Sequence, residues 1–461
     1  MTAMTAATDA GHDVLNATPG MTGMFNDESF FFETLRALGY AHYGGADIGE
    51  VFGTADRIPD GDETAWYTQW RALAERIHAD ADRSADEGHR VSAQESYLRA
   101  SNYYRLCAFY LRVDPADDPL VREVGQLSID MFARAAQLMS SPPERVRFPY
   151  EDTTLPGWWI PAEAGSAHPS GGHPDGPRPT LLFHGGFDST EEELYFSGGA
   201  AAARRGYHVL AFAGPGQGSA LRDQQLLFRP DWDAVVTPAV DWLLARPDVD
   251  HDRIALMGMS FGGELAPRAA ANEHRLAALI AYDGLYSFGG AVQNKVGPAI
   301  MELVRDGADT KVNALIEETM SSNTQLRSLF NWGNWVYGVD GPAAVIRATD
   351  AYTLEGYAPL ITCPTLVLEG ENDFGPGQAS PLFEALRCQK TYHLFPTAEG
   401  GGEHCQAGAT SKLHQVIFDW LDTVLALPRE QPAPPKRLHI TKGGSESYRH
   451  EEQARCARFF P

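Results

Sequence analysis

The sequence predicts an α/β fold, in which a mostly parallel sheet carries helices on both faces and follows a separate helical region. Three observations lead to this prediction. From about residue 145 onward, short apolar segments alternate with helical segments. A G-x-S-x-G pattern directly follows one apolar segment and precedes a run of small residues typical of a helix. Glycine-rich loops follow other strands of the same series.

The N-terminal part of the chain is predicted to be helical. Residues 1–22 are small and polar and are expected to form a tail, whereas residues 23–143 carry apolar side chains at helical spacing. The pattern is clearest over residues 64–77 and 92–111. Most aromatic side chains of this region are expected to form the core of a helical bundle. The candidates for lining a substrate cavity are Tyr103, Tyr104 and Phe109.

The core is predicted to span residues 144–427. Residues 145–148 and 157–160 are expected to form an opening antiparallel pair, followed by a loop over residues 165–179. The two histidines of that loop, His168 and His173, are interpreted as ordinary polar loop residues and not as metal ligands. Six further strands are predicted at residues 180–183, 209–212, 254–257, 279–282, 365–368 and 392–395.

An aromatic-rich helical insertion at about residues 284–357 interrupts the alternation. Sites in open α/β sheets lie at the C-terminal edge of the strands, so the insertion is predicted to form a cap over that edge. Trp332 and Trp335 are candidate substrate contacts, although part of the aromatic content is expected to be ordinary core. Residues 428–461 are expected to be a peripheral extension.

Ser260 is the predicted nucleophile. It stands in the segment GMSFG, residues 258–262, between the apolar run 254–257 and a predicted helix over residues 263–271. The tight turn of such a nucleophile elbow strains the backbone of its serine, and side chains at the flanking glycines would collide with the strand and helix. The helix N-terminus adds free N–H groups where an oxyanion would form.

A serine nucleophile needs a base, and the base needs an orienting acid. In this kind of fold the chain order is serine, acid and histidine. Asp373 follows the strand at 365–368 and is the predicted acid, with Glu371 in reserve. The predicted base is His404, in a glycine-rich loop after the strand at 392–395. Two other histidines are interpreted as structural: His393 and His414.

An oxyanion hole requires two preorganised N–H donors. The backbone N–H of Phe261 directly follows the nucleophile and is one candidate. The other is expected in the loop HGGFD at residues 184–188, from Gly186 or Phe187, unless these glycines only turn the loop. The loop GPGQG at residues 214–218 lacks a P-loop lysine and is interpreted as a pocket wall.

Composition and charge exclude several classes of partner. The formal net charge of -24 at pH 7 argues against nucleic acid and anionic membranes, because phosphate groups are bound by basic surfaces. No apolar run approaches the roughly 18 residues of a membrane span, and the N-terminus shows no signal peptide. The five cysteines are scattered, as is typical of free thiols in a reducing compartment. The chain is therefore expected to be cytoplasmic, with no metal and no cofactor.

Together these motifs resemble the α/β-hydrolase family that contains 2,6-dihydroxypseudooxynicotine hydrolase and the fungal polyketide chain-shortening hydrolases of naphthopyrone pigment pathways. The resemblance rests on residues 184–194 (HGGFDSTEEEL), 214–218 (GPGQG), the elbow and 403–406 (EHCQ). It extends to residues 92–105, which are similar to that family's helical lid, and it covers residues 25–425 in total.

The resemblance implies an α/β-hydrolase fold with an N-terminal helical lid, and the same three triad residues by position. It further implies hydrolysis of a C–C bond in a 1,3-dicarbonyl-type substrate attached to an aromatic ring. An acidic residue near the substrate is also implied, for which Glu191, Glu192 and Glu193 are candidates. Ala213 stands where the family usually has an aspartate, a departure that bears on substrate identity. The resemblance also suggests a homodimer through the helical region.

Other functions remain open at this point. The same residues cleave esters and thioesters, because both reactions pass through the same kind of oxyanion. An alcohol or amine in place of water would make the enzyme an acyltransferase. A non-catalytic binding protein on a hydrolase scaffold is the alternative from another class, and the intact Ser260, Asp373 and His404 argue against it.

Overall fold

The computed structural model describes residues 24–111, 115–116, 118–167, 176–375 and 377–425. The expected tail over residues 1–22 and the expected extension over residues 428–461 lie outside the described residues, as do His168 and His173.

An eight-stranded sheet forms the centre of the molecule, in the strand order β1-β2-β4-β3-β5-β6-β7-β8. Strands β1 and β2 pair antiparallel, β2 pairs antiparallel with β4, and the remaining strands are parallel. The α/β prediction is confirmed, including the opening antiparallel pair. The strands are β1 Glu144–Tyr150, β2 Thr153–Ile160, β3 Arg178–His184, β4 His208–Phe212, β5 Val249–Met259, β6 Ala278–Tyr282, β7 Thr365–Gly370 and β8 Lys390–Phe395.

Five helices precede the sheet: α1 Glu28–Gly39, α2 Ile48–Ala55, α3 Glu63–Asp86, α4 Arg90–Cys107 and α5 Pro119–Leu138. Aspartates cap four of them, and each carboxylate accepts a hydrogen bond from a backbone N–H of the first turn (Asp27, Asp47, Asp62 and Asp118). The helices share a hydrophobic core with one face of the sheet. In this core the rings of Phe132 on α5 and Trp158 on β2 lie 4.7 Å apart.

The helices on the two faces of the sheet and in the insertion follow in chain order. They are α6 Ala200–Arg204, α7 Gly218–Gln224, α8 Asp233–Leu244, α9 Gly262–Ala270, α10 Phe288–Val296, α11 Pro298–Arg305, α12 Asp309–Met320, α13 Thr324–Tyr337, α14 Pro342–Thr349, α15 Ala379–Ala385 and α16 Thr410–Val424. The insertion, α10 to α14, lies between β6 and β7. Among the described residues no helix is both long and apolar enough to cross a membrane.

Helix α13 ties the insertion to the loops at the C-terminal edge of the sheet. The indole N–H of Trp332 donates to the carbonyl oxygen of Phe187 over 2.6 Å. The backbone N–H of Phe228 donates to the carbonyl oxygen of Val336 over 2.9 Å. The same helix also contacts α3, because the Arg327 guanidinium lies 2.7 Å from a carboxylate oxygen of Glu63. The insertion and the N-terminal helices therefore enclose this edge together.

Helix α9 packs so closely on the end of β6 that the second residue of the helix must be glycine. A Cβ atom at Gly263 would lie 1.8 Å from the carbonyl oxygen of Asp283, which is backbone and cannot move aside easily. We predict that Gly263→Ala lowers the free energy of unfolding by about 1–3 kcal/mol through overpacking. Chemical denaturation followed by circular dichroism measures the change.

The matched control for this substitution is Gly53→Ala in α2, where an added Cβ meets no atom within 4 Å. Alanine has the better helix propensity, so Gly53→Ala is expected to raise the free energy of unfolding by about 0.5–1 kcal/mol. Equal effects of the two substitutions would contradict the packing argument.

Candidate active site

Ser260 lies on the turn between β5 and α9. Its φ of 62° is in the left-handed region, which non-glycine residues rarely adopt. The backbone N–H of Ser260 donates to the carbonyl oxygen of Tyr282 over 2.9 Å, which fixes the turn against the end of β6. This geometry presents the Ser260 hydroxyl at the C-terminal edge of the sheet.

His404 and Asp373 lie in line with this hydroxyl. Ser260 Oγ is 2.8 Å from His404 Nε2, and the other ring nitrogen, Nδ1, hydrogen-bonds directly to Asp373 Oδ1. Asp373 follows β7, and its carboxylate also accepts the backbone N–H of Phe374 over 2.6 Å. The reserve acid Glu371 instead accepts the backbone N–H of Thr397 over 2.8 Å. The three predicted triad residues are thus brought together, and Glu371 is not among them.

A second carboxylate, Asp283, also faces the imidazole, and the sequence analysis missed it. Asp283 Oδ2 lies 3.3 Å from His404 Nδ1, and the side chain is 2% exposed. It accepts the backbone N–H of Cys405 over 2.7 Å and the amide of Gln406 over 2.9 Å. The signal for Asp283 was an acidic residue directly after a strand, β6, the same signal that identified Asp373 after β7.

The two carboxylates determine the charge state of the imidazole. Burial lowers the pKa of His404, but Asp373 and Asp283 outweigh this and raise it to about 9. Burial and the neighbouring Asp373 raise the pKa of Asp283. Burial also acts on Asp373, but the His404 ring holds the pKa of that carboxyl below its usual value. Asp373 is therefore the ionised partner of the imidazole, and Asp283 holds its proton more readily.

The loop after β3 approaches the serine closely. A Cβ atom at Gly186 would lie 2.7 Å from both Ser260 Cβ and the backbone nitrogen of Phe261, so only glycine fits. The N–H of Gly186 donates to Ser189 Oγ over 3.0 Å and is not available to a substrate. Among the described residues, neither the N–H of Phe187 nor that of Phe261 has a hydrogen-bond acceptor. Of the two loop candidates for an oxyanion donor, Phe187 is the one whose N–H is available, and its role stays a prediction.

A cavity reaches the Ser260 hydroxyl, and helix α1 supplies much of its wall. We call it the Ser260 cavity; α1 contributes Phe32, Arg36 and Gly39, and the residues after it include Tyr40. Met259, Tyr282 and His404 also line the cavity. None of the α1 residues was predicted. The available signal was three consecutive phenylalanines followed by a single arginine in the helix sequence ESFFFETLRALG.

The predicted substrate contacts lie elsewhere. Trp332 and Trp335 line a second cavity, whose other lining residues include Arg105, Arg222 and Glu192. Tyr104 lines neither cavity: it is 2% exposed within the helical bundle, and its hydroxyl lies 3.2 Å from His78 Nδ1. Aromatic residues at helical spacing pack into a bundle core more often than they face a ligand, and Tyr104 does so.

The three consecutive glutamates are all buried, and each has a different partner. Glu191 bonds to the hydroxyl and N–H of Ser219 at the start of α7. Glu192 accepts the indole N–H of Trp158 over 3.0 Å. Glu193 lies 2.6 Å from the Arg36 guanidinium and accepts the Tyr40 hydroxyl over 2.5 Å. Of the three, Glu192 lines the second cavity and none lines the Ser260 cavity.

One group of side chains in the described part of the chain has metal-ligand types close together. The donor atoms of Asp283, His404 and Cys405 lie within 4.8 Å of one another. A coordinating cysteine must lose its proton, whereas burial and Asp283 raise the pKa of the Cys405 thiol well above its ordinary value. His404 Nδ1 already bonds to Asp373. This group does not fit a metal ion.

Known proteins of similar sequence match almost the whole chain. Hydrolase acrC of Aspergillus aculeatus is 36% identical over 89% of this chain and 99% of its own length. The 20-hydroxy-prefusarin hydrolase FUS2 of Gibberella moniliformis is 36% identical over 89% of this chain and 100% of its own length. A family model described as "Alpha/beta hydrolase family" matches residues 180–409, and one described as "Esterase FrsA-like" matches residues 60–286.

The chain belongs to the alpha/beta hydrolase family. This confirms the resemblance, and with it the prediction that the protein is an enzyme, a hydrolase. The crystal structure of 2,6-dihydroxy-pseudo-oxynicotine hydrolase has the same fold, with a TM-score of 0.64 at 23% identity over 84% of this hydrolase and 95% of that chain. AbyA5 matches with a TM-score of 0.53 at 17% identity over 83% and 95%.

The second carboxylate leads to a prediction about pH dependence. Neutral His404 is required to accept the serine proton, so kcat/KM is expected to rise with pH until the pKa of about 9 is passed. Asp283→Asn removes one of the two charges that raise this pKa, so the midpoint of the acid limb is expected to move by about 1 pH unit or more, toward lower pH. The pH profile of kcat/KM for a 4-nitrophenyl ester measures the shift.

Asp373→Asn is the matched control, because it removes the carboxylate that orients the imidazole. Loss of tautomer control costs about 10⁴-fold in kcat in serine triads, and a loss of that order is expected here. An unchanged midpoint in Asp283→Asn would contradict the role of Asp283. A larger loss of kcat in Asp283→Asn than in Asp373→Asn would make Asp283 the orienting acid.

Proposed function

We propose that this alpha/beta hydrolase is a serine hydrolase that cleaves a C–C bond next to a carbonyl group through an acyl-enzyme. The observation that carries the proposal is the 2.8 Å contact between Ser260 Oγ and His404 Nε2, with Asp373 bonded to the far side of the imidazole. A serine hydroxyl is a weak nucleophile until a base removes its proton, and this arrangement supplies both the base and its orienting acid.

In the first half of the proposed reaction, His404 Nε2 takes the Ser260 proton while Oγ attacks the substrate carbonyl carbon. The negative charge that develops on the carbonyl oxygen is held by the N–H groups of Phe261 and Phe187. The tetrahedral intermediate then collapses. The C–C bond breaks, its electron pair leaves as an enolate stabilised by the second carbonyl, and His404 returns the proton to that carbanion.

In the second half, water enters and loses a proton to His404 Nε2 as its oxygen attacks the acyl-enzyme. The second tetrahedral intermediate releases a carboxylic acid, and Ser260 Oγ recovers its proton from His404. One water is consumed for each C–C bond broken, and no redox step is involved.

The substrate is proposed to be bulky, in the class of 1,3-dicarbonyl, polyketide-like or aryl-ketone compounds. Two observations support this. Aromatic side chains line the approach to Ser260, among them Phe32, Tyr40 and Tyr282. The relative FUS2, at 36% identity over nearly the whole chain, is named for a hydrolysis of 20-hydroxy-prefusarin.

An esterase is the second candidate, because the model described as "Esterase FrsA-like" matches residues 60–286. These residues include Ser260 and the loop at residues 184–188, from which Phe187 is proposed to donate to the oxyanion. An ester carbonyl passes through the same tetrahedral oxyanion, and its alkoxide leaves without carbanion protonation. Thioesters and acyl transfer to an alcohol or amine use the same steps. The substrate therefore distinguishes these candidates, and the triad does not.

The test compares one β-diketone with its oxygen-inserted ester. Benzoylacetone yields a ketone and a carboxylic acid on C–C hydrolysis, whereas phenacyl acetate yields an alcohol and acetic acid. We expect turnover of benzoylacetone, measured by chromatography of the products, and a loss of about 10⁴-fold or more in kcat for Ser260→Ala. Ser322→Ala, on an exposed turn of the insertion, is the control and is expected to retain wild-type activity.

Two results would contradict the proposal at different levels. Turnover of phenacyl acetate alone would leave a serine esterase and refute C–C cleavage. No covalent adduct at Ser260 after treatment of the folded protein with a fluorophosphonate would refute the serine nucleophile itself.

A further inference from the structure

The second cavity shares one lining residue, Asp188, with the Ser260 cavity, and contains two buried arginines. We call it the arginine cavity. Arg105 comes from α4, Arg222 from α7, and Trp332 and Trp335 from α13 of the insertion. Asp188 directly follows Phe187, whose N–H is the proposed oxyanion donor and whose carbonyl oxygen accepts the indole of Trp332. A substrate held at Ser260 therefore has the arginine cavity next to the loop that holds its carbonyl.

Arg222 is buried without the hydrogen-bond acceptors that its guanidinium needs. The side chain is 8% exposed, and within the described part of the chain its Nε and Nη2 atoms have no hydrogen-bond partner. The carboxylate of the adjacent Asp223 lies 3.4 Å from Nε and is 37% exposed. The guanidinium also packs against Gly125 of α5, since a Cβ there would lie 2.5 Å from Nη1. An unpaired buried guanidinium is costly, which points to an acceptor that binds there.

Arg105, on helix α4, is a second buried arginine with an unpartnered guanidinium nitrogen. Its side chain is 5% exposed, and its Nη2 atom has no hydrogen-bond partner among the residues that the structure describes. Two other atoms of the same group are engaged, because Nε donates to Asn102 over 3.2 Å and Nη1 lies 3.6 Å from Glu193. Asn102 and Glu193 hold the guanidinium in place. Nη2 is the atom of this guanidinium that keeps an unused N–H donor among the described residues.

Two carboxyl groups also line this cavity. One of them is paired with an arginine outside the cavity, and the pKa of the other is raised. Asp188 lies 3.3 Å from the Arg36 guanidinium. Burial and the neighbouring Glu191 raise the pKa of Glu192 to about 8, so Glu192 is mainly protonated at neutral pH. The nearby Arg222 acts to lower the same pKa, and Arg105 has Glu193 as a charge partner at 3.6 Å, so the two positive charges are offset only in part.

We infer that the arginine cavity binds a carboxylate carried by the substrate at a distance from the scissile bond. The unpartnered Nε and Nη2 of Arg222 belong to one guanidinium, whose planar fork can donate two hydrogen bonds to the two oxygens of one carboxylate. The indoles of Trp332 and Trp335 give the same cavity planar apolar walls for the chain that leads to the carboxylate. This inference rests on the proposed function for the position of the reacting carbonyl.

The test measures binding, so it does not depend on turnover. Ser260→Ala protein is titrated calorimetrically with phenylacetate, 4-phenylbutanoate and 6-phenylhexanoate, and with the matching neutral amides. At least one acid is expected to bind about ten-fold or more tightly than its amide, the range expected for a hydrogen bond to a charged group. Arg222→Met, which keeps the length of the side chain, is expected to remove this preference.

Two further variants separate recognition from general effects. Arg347→Met removes an equal charge from α14, where Arg347 is paired with Asp309 and 39% exposed, and is expected to leave the preference intact. Arg222→Lys keeps the charge without the planar fork and is expected to retain part of the preference, which also covers the case in which the methionine variant does not fold.

The outcomes decide the inference separately from the proposed function. Equal affinities for acids and amides, a preference that survives Arg222→Met, or no binding by any compound of the series would overturn the carboxylate site. Absence of fluorophosphonate labelling at Ser260 would refute the serine hydrolase and leave these titrations unaffected.

Discussion

The left-handed backbone at Ser260 is the constraint on which the rest of the active site depends. A φ of 62° at a serine is held by close packing on all sides: the N–H bonds to Tyr282 on β6, and Gly186 and Gly263 allow the neighbouring loop and helix to approach. Each of these contacts joins the turn to another strand. The elbow therefore brings the ends of β3, β5 and β6 together. The loop at residues 184–188 and Asp283 lie at the same place.

Two additions to the sheet surround this point from opposite ends of the sequence. Helix α1 precedes the first strand and supplies Phe32 and Arg36 to the Ser260 cavity, whereas α13 lies between β6 and β7 and supplies Trp332 to the arginine cavity. The indole of Trp332 donates to Phe187 in the loop at residues 184–188. The Arg36 guanidinium contacts Asp188 in the same loop and Glu193 after it. Helices α1 and α13 therefore both hold this loop in place.

The sequence predicted what is encoded by local pattern and chain order. All eight strands, the elbow and the group of Ser260, Asp373 and His404 follow from apolar runs and from residues placed directly after them.

Other features depend on distances that no local pattern encodes. Asp283 and Asp373 both follow strands, and only the fold places both beside one imidazole. Tyr104 and Phe32 are both helical aromatics, and packing alone decides that one is core and the other lines a cavity. The hydrogen bond from the N–H of Gly186 to Ser189 Oγ could not be predicted from the sequence either. It leaves the N–H of Phe187 as the candidate oxyanion donor of this loop. The division into lid and core domains stays a prediction.

By raising the pKa of His404, the two neighbouring carboxylates have opposite effects on two steps in the first half of the proposed reaction. A pKa of about 9 keeps much of the imidazole protonated at neutral pH, which reduces the fraction of enzyme that can activate Ser260. The same stabilised imidazolium persists through the tetrahedral intermediate and is ready to protonate a departing carbanion. An alkoxide is a better leaving group and gains less from this protonation, whereas an enolate recombines with the acyl group unless it is protonated. For the proposed reaction we therefore infer that a second buried carboxylate at Asp283 favours C–C cleavage over ester hydrolysis, at the expense of rate below the pKa of His404.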